Sequence, residues 1–174
     1  MPDINELEFV RLVPPNNLTL IPRYIFEQVK GIDARTIDAI YTYANDIMTY
    51  PVVNEKGVVV GRIAKTSVWV AVLQDITHVI KGFIWAEFDP IERRVFIQGC
   101  SVDKEYQSNN GEVLRRMIDY VKSLNIPQEW KNNIQMTTTQ PKAFERVGCS
   151  RSRKVLMELK KNVEYQIKEP DDKG

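Results

Sequence analysis

The sequence predicts an α+β chain built on a mostly antiparallel sheet, and three observations carry that expectation. SVWVAVLQD, HVIKGFIWAEFD and RRVFIQGCSV follow one another at strand length with only residues 75–77 and 89–92 between them, which makes a meander. Ile37, Ile40, Tyr41, Ala44, Ile47 and Met48 keep a helical period before the meander, and Leu114, Met117, Ile118, Val121 and Leu124 keep one after it. Residues 94–124, RVFIQGCSVDKEYQSNNGEVLRRMIDYVKSL, read as a buried strand, a polar turn and an amphipathic helix. That arrangement sets free backbone N–H groups in front of a phosphate.

In chain order, Leu7, Phe9 and Arg11 alternate as a short strand should, and Pro14 with Pro15 stops it. Residues 18–30 are expected as one helix, with Pro22 in its first turn and Gly31 as its stop. Asp33 is placed to cap a second helix that Pro51 ends. NEKG at 54–57, between VV and VVV, reads as a hairpin turn, so 51–66 is expected as an insertion or added ribbon. After the meander and its helix, Pro127 closes the region and NIQMTTT supplies a fourth core strand. A short helix over 141–147 stopped by Gly148 follows, then the strand RKVLMELKK, and the tail NVEYQIKEPDDKG is expected to add an edge strand before its charged end frays.

At 174 residues, 43% of them hydrophobic, the chain is long enough for one ordinary core. A single domain over 1–174 is expected, with 160–174 a partly ordered tail. The net charge of +1 gives no global field for nucleic acid or an anionic membrane, so neither is expected as a partner. Cys100 and Cys149, without a signal peptide or an apolar run long enough to cross a bilayer, point to two free thiols in a reducing cytoplasm. Two cysteines and the one histidine, His78, supply neither a zinc site nor a histidine-activated nucleophile, so no metal is expected.

The order strand, two helices, three antiparallel strands, helix, strand, short helix, strand resembles the GCN5-related N-acetyltransferase (GNAT) superfamily over nearly the whole chain. V-D-K-E-Y-Q at 102–107 is similar to that family's strand end, where a Val precedes by five residues the Gln or Arg that opens the pyrophosphate loop. F-E-R-V-G-C at 144–149 is similar to its aromatic-E-K-x-G-F near the C-terminus. The resemblance implies a GNAT-like mixed, mostly antiparallel central sheet with helices on both faces. It also implies an acyl-CoA-dependent N-acyltransferase with acetyl-CoA as co-substrate and an amine, not identified by the sequence, as acceptor. The alternative is a GNAT fold that has lost catalysis and serves as a binding or structural module.

Carried over residue by residue, the resemblance gives Cys100, Ser101 and Val102 the main-chain groups that hold the pantetheine arm and thioester. A main-chain N–H at Cys100 or Ser101 would polarise the acyl carbonyl, and Cys100 is a catalytic candidate in that sense. The turn Gln107, Ser108, Asn109, Asn110, Gly111 and Glu112 would receive the pyrophosphate. Here Asn110 replaces the family's first Gly and Glu112 its second small residue. Asn tolerates left-handed backbone, whereas a carboxylate at Glu112 competes with phosphate for the helix N-terminus. Phe144 stands where many members place a proton-donating Tyr, and Cys149 where they have Phe. Tyr106, Ser101, Cys149 or water are the candidate substitutes. Glu87, beside Trp85 and Phe88, is the preferred general base, with Asp89 and Glu105 behind it. In the family the acceptor lies against the first two helices, here 26–43, and the C-terminal strands.

Overall fold

The computed structural model describes residues 2–107, 111–138 and 141–152. Strand β1 (Glu8–Arg11) forms where its alternation places it. The single helix expected over 18–30 is instead divided at Pro22. A short helical turn, Leu18–Leu20, is capped by Asn17, and α1 (Arg23–Glu27) follows. Proline holds the preceding Ile21 extended, at φ −78° and ψ 121°, so one helix cannot run through.

Helix α2 (Ala34–Thr42) starts as expected, because the Asp33 carboxylate accepts the Thr36 N–H at 2.7 Å. It ends early, at Tyr43 (φ −103°, ψ 15°), and α3 (Ala44–Met48) completes the run. The chain is already extended from Thr49, so Pro51 lies within a strand rather than ending a helix. Strands β2 (Thr49–Val53) and β3 (Val59–Ala64) make the expected hairpin, a two-stranded ribbon separate from the main sheet. Asn54 closes its turn by accepting the N–H groups of Lys56 and Val58 at 3.0 Å each.

The meander is β4 (Val68–Gln74), β5 (Ile80–Asp89) and β6 (Arg94–Val102), antiparallel throughout. A short helical turn, Lys104–Tyr106, leads into α4 (Glu112–Ser123). Of the expected stripe, Met117, Val121 and Leu124 are buried as read, whereas Leu114 and Ile118 are half-buried and Val113 takes the buried place one turn before Met117. Val113 and Leu114 both fit a helical repeat, and the sheet chooses between them. Pro127, expected to close the region, begins α5 (Gln128–Lys131). Strand β7 (Ile134–Met136) is shorter than NIQMTTT, and α6 (Pro141–Glu145) follows. The expected strand RKVLMELKK and the tail NVEYQIKEPDDKG lie outside the described residues.

The main sheet runs β1-β4-β5-β6-β7, with β7 parallel to β6 and every other pair antiparallel. Alternation in β4 splits the core in two. Val70 and Val72 meet Ile25, Phe26 and Ile37 on the α1–α3 side, whereas Ala71 and Leu73 share the α4 side with Val113, Met117 and Val121. Each fully buried side chain of this size contributes about 1.5–3 kcal/mol. Helices thus cover both faces, as the resemblance implied, and the seam between β6 and β7 is reached from either layer.

Candidate functional site

The site begins where two strands separate. β6 and β7 pair through Val95–Ile97 and Ile134–Met136, and among the described residues no pairing between them follows. On its other edge β6 stays paired with β5 as far as Val102, after a bulge at Gln98, since Trp85 faces Gly99 and Ala86 faces Ile97. A cleft of about 870 Å³ opens at the parting, walled by α1 and the turn after it, by β5 and β6, by the start of α4 and by α6.

Strand alternation decides which main-chain groups face the cleft. The Asp103 N–H bonds the Lys81 carbonyl at 2.7 Å. Counting back by twos through the Gly82–Trp85 pairing directs the N–H groups of Ser101 and Gly99 to β5, and those of Cys100 and Val102 to the open side. The Val102 carbonyl is engaged by the Gln107 side-chain amide, which donates to it at 3.0 Å and ties the loop to the strand end.

Across the mouth lies the N-terminus of α4. Gly111 precedes it in the left-handed conformation (φ 66°, ψ 27°) and offers no side-chain cap, and the first-turn N–H groups have no intrahelical partner. A Cβ on Gly111 would sit 2.9 Å from Val147 Cγ1, so glycine is required by both backbone and space. Glu112 is exposed on the first turn. Ser108, Asn109 and Asn110 lie outside the described residues.

Cys100, Ser101, Val102, Gln107, Gly111 and Phe144 all line the cleft. Burial pushes the Cys100 thiol up to about 11, with Cys149 as a lesser cause, so near neutral pH it is a protonated thiol. Both cysteines are free. Among the substitutes for a tyrosine acid, Tyr106 and Ser101 line the cleft and Cys149 does not.

Glu87 lies apart. It borders a shallow depression with Ser67, Asp89 and Arg94, and Gln98 donates to its Oε2 at 3.0 Å. Gln98 is common to the depression and the cleft, and so separates Glu87 from Cys100. Asp89 binds the Ile91 and Glu92 N–H groups and Arg94, and Glu105 binds Lys81 at 2.6 Å. Among the described residues lining the cleft there is no Asp or Glu, and Lys30 carries its one charge. The described residues also include no group of three or more potential metal ligands, and no helix long and apolar enough to cross a membrane.

Among the cleft residues that the sequence reading did not place in the site, Trp85 stands out. Trp85 is half-buried on β5, and its indole Nε1 is buried with no hydrogen-bond partner. The available signal was its register opposite Gly99 in the meander, which sets a large ring beside a position without a side chain.

No family model matches the chain, and no curated protein does. Solved structures do. AAC(6')-Iy in complex with a bisubstrate analogue, CoA-S-monomethyl-acetylneamine, superposes with a TM-score of 0.55 at 12% identity, over 88% of this chain and 97% of that one. A possible acetyltransferase from Clostridium difficile 630 gives 0.54 at 13% identity, over 88% and 97%. The aminoglycoside antibiotic 6'-N-acetyltransferase AAC(6')-Ih from Acinetobacter baumannii gives 0.52 at 9%, over 91% and 99%. At such identities the likeness establishes the fold, and the fold is that of the acetyltransferases to which the sequence motifs are similar.

Proposed function

The chain has the GNAT fold, and we propose that it is an acyl-CoA-dependent N-acyltransferase that moves an acetyl group from acetyl-CoA to an amine. The observation that carries this reading is the parting of β6 from β7 beside the N-terminus of α4, where the N-cap residue is Gly111 and has no side chain to cap it. An elongated thioester with an anionic head fits that pair of features: free strand N–H groups for the amide-bearing arm, and helix N–H groups for the pyrophosphate.

In this reading Gly111 and Glu112 present main-chain N–H groups to the phosphates, together with Ser108, Asn109 and Asn110. Gln107 holds the loop against Val102. Main-chain groups of Cys100, Ser101 and Val102 position the arm, and Phe144 packs against it. The amine nitrogen attacks the thioester carbonyl carbon. Negative charge gathers on the carbonyl oxygen, where the Cys100 N–H stabilises it. The new C–N bond forms, the C–S bond breaks, and the leaving sulfur takes up a proton from water to depart as CoA. The proton lost by the amine passes to water and on to Glu87 beyond Gln98. The Cys100 side chain stays a neutral thiol and forms no bond.

A single domain in a reducing cytoplasm belongs to the same proposal. The second reading, a non-catalytic module that binds a CoA-type ligand, draws its support from Phe144, which lines the cleft and has no proton to give. Thiol-detected CoA release from acetyl-CoA, screened over amines, separates the two. Amine-dependent release that Glu87→Gln lowers by about tenfold or more supports the transferase. CoA binding without release for any amine supports the module.

A further inference from the structure

We propose that the β2–β3 ribbon is a dimerisation element: the outer edge of β3 pairs antiparallel with β3 of a second copy of this chain, about a two-fold axis through Ile63. The inference stands apart from the transferase reading.

The ribbon is separate from the main sheet, and a two-stranded hairpin alone in water is marginal at best, so a further strand would complete it. All six residues of β3 are exposed, and among the described residues β3 pairs with β2 alone. The Lys65 N–H donates to the Met48 carbonyl at 2.8 Å, one step beyond the Thr49–Ala64 pair. Counting on by twos turns the main-chain groups of Tyr50, Val52, Gly61 and Ile63 into the ribbon, and those of Pro51, Arg62 and Ala64 outward. The two outer edges therefore differ. On β2 the outward position is a proline with no N–H to offer, whereas β3 presents both N–H and C=O at Arg62 and Ala64.

The two faces of the ribbon are unequal as well. Arg62 turns toward α3, donating to Asp46 at 2.8 Å and to the Thr49 hydroxyl at 3.1 Å. The opposite face carries Tyr50 beside Ile63, 57% and 62% exposed, and Val52 beside Gly61. Tyr50 and Ile63 make an apolar row that ends at the open edge.

The strand's own pattern points to a second copy as the occupant. With the two-fold at Ile63, that side chain meets its counterpart at a position without hydrogen bonds, where side chains approach most closely, and Arg62 of each copy exchanges hydrogen bonds with Ala64 of the other. The apolar row then runs unbroken across the axis, from Tyr50 and Ile63 of one copy to Ile63 and Tyr50 of the other. A two-fold at Arg62 would set two guanidinium groups directly opposite, and one at Gly61 would carry the ladder into the bulge that leaves Val60 without a partner. In the favoured register Arg62 faces an alanine, its charge is answered by Asp46 of its own chain, and Lys65 falls opposite Gly61. The assembly closes as an isologous pair, with β2 and its Pro51 on the outside of a four-stranded sheet.

The test uses the full chain. Sedimentation over a concentration series is expected to show a monomer–dimer equilibrium in the micromolar range, because residues 49–64 are fewer than the roughly 20–30 a side of a standard interface. Ile63→Lys sets two ammonium groups opposite each other on the axis, at a position exposed in the monomer. It is expected to raise the dimer dissociation constant about tenfold or more with an unchanged circular dichroism spectrum. Ile63→Cys, oxidised with glutathione disulfide, is expected to give a dimer bridged between the two position-63 thiols, identified by mass spectrometry. Cα atoms at such a position lie about 4.5 Å apart, within disulfide reach. Val53→Cys, on β2 and away from the axis, is the control and is expected not to bridge its own counterpart. A chain that is monomeric at every concentration, a dimer indifferent to Ile63→Lys, or position-63 thiols that bridge no better than those of Val53→Cys overturns the proposal.

Discussion

Gly111 shows how much a single residue can decide in this fold. Its left-handed backbone leads into α4, and its missing Cβ leaves room for Val147. Gly111→Ala meets both constraints at once. It is expected to lower unfolding free energy by about 1–3 kcal/mol and CoA affinity by tenfold or more, measured by urea denaturation and ligand titration. Affinity equal to the parent chain would remove this loop from the site. Gly111 entered the sequence reading through the resemblance, as part of the turn from Gln107 to Glu112, whereas Asp33 was legible as a cap from its own residue type and place. Trp85 was not, because an unpaired N–H depends on which distant side chains fail to reach it.

At the level of elements, three aspartates fix the chain's turns. Asp33 caps α2, Asp75 closes the turn between β4 and β5, and Asp89 closes the one between β5 and β6. Each carboxylate is held below its ordinary value of 3.8, Asp33 first by the Thr36 N–H, Asp75 first by the Thr77 hydroxyl and Asp89 first by the Glu92 N–H. A folded value below the unfolded one means their contribution is complete above about pH 4 and is lost as pH falls through the lowered values. The Asn variants of all three together are therefore expected to show a flatter acid limb in stability–pH curves below about pH 4 than the parent chain. An unchanged limb would mean the three turns do not report on folding. Turn chemistry of this kind is local, so the meander and ribbon were legible in sequence. The division at Pro22 and the break at Tyr43 were not, because periodicity continues across both. The burial of Val113 in α4 was hidden because Leu114 beside it is equally apolar.

For the whole molecule, the meander and the helix on either side of it were legible and the cleft was not. The antiparallel meander, the ribbon, the start of α2 and the helix before Pro127 follow from periods and turns, and they suffice to bring out a likeness that 9–13% identity conceals. The parting of β6 and β7 depends on a parallel pairing that ends at Ile97 and Met136, a contact between segments far apart in the chain. No local pattern announces where such a pair stops. The same distance effect hid the displacement of Glu87 from the cleft, since register against β6 and the position of Gln98 set it.

The central claim is that a CoA thioester occupies this parting with its phosphates on the start of α4. Calorimetric titration of the full chain with acetyl-CoA and with CoA tests it most directly. Micromolar binding of both, weakened as salt is raised because the pyrophosphate carries the charge, is the expected result. Heat indistinguishable from dilution at millimolar ligand would contradict it and leave the acetyltransferase fold without its co-substrate.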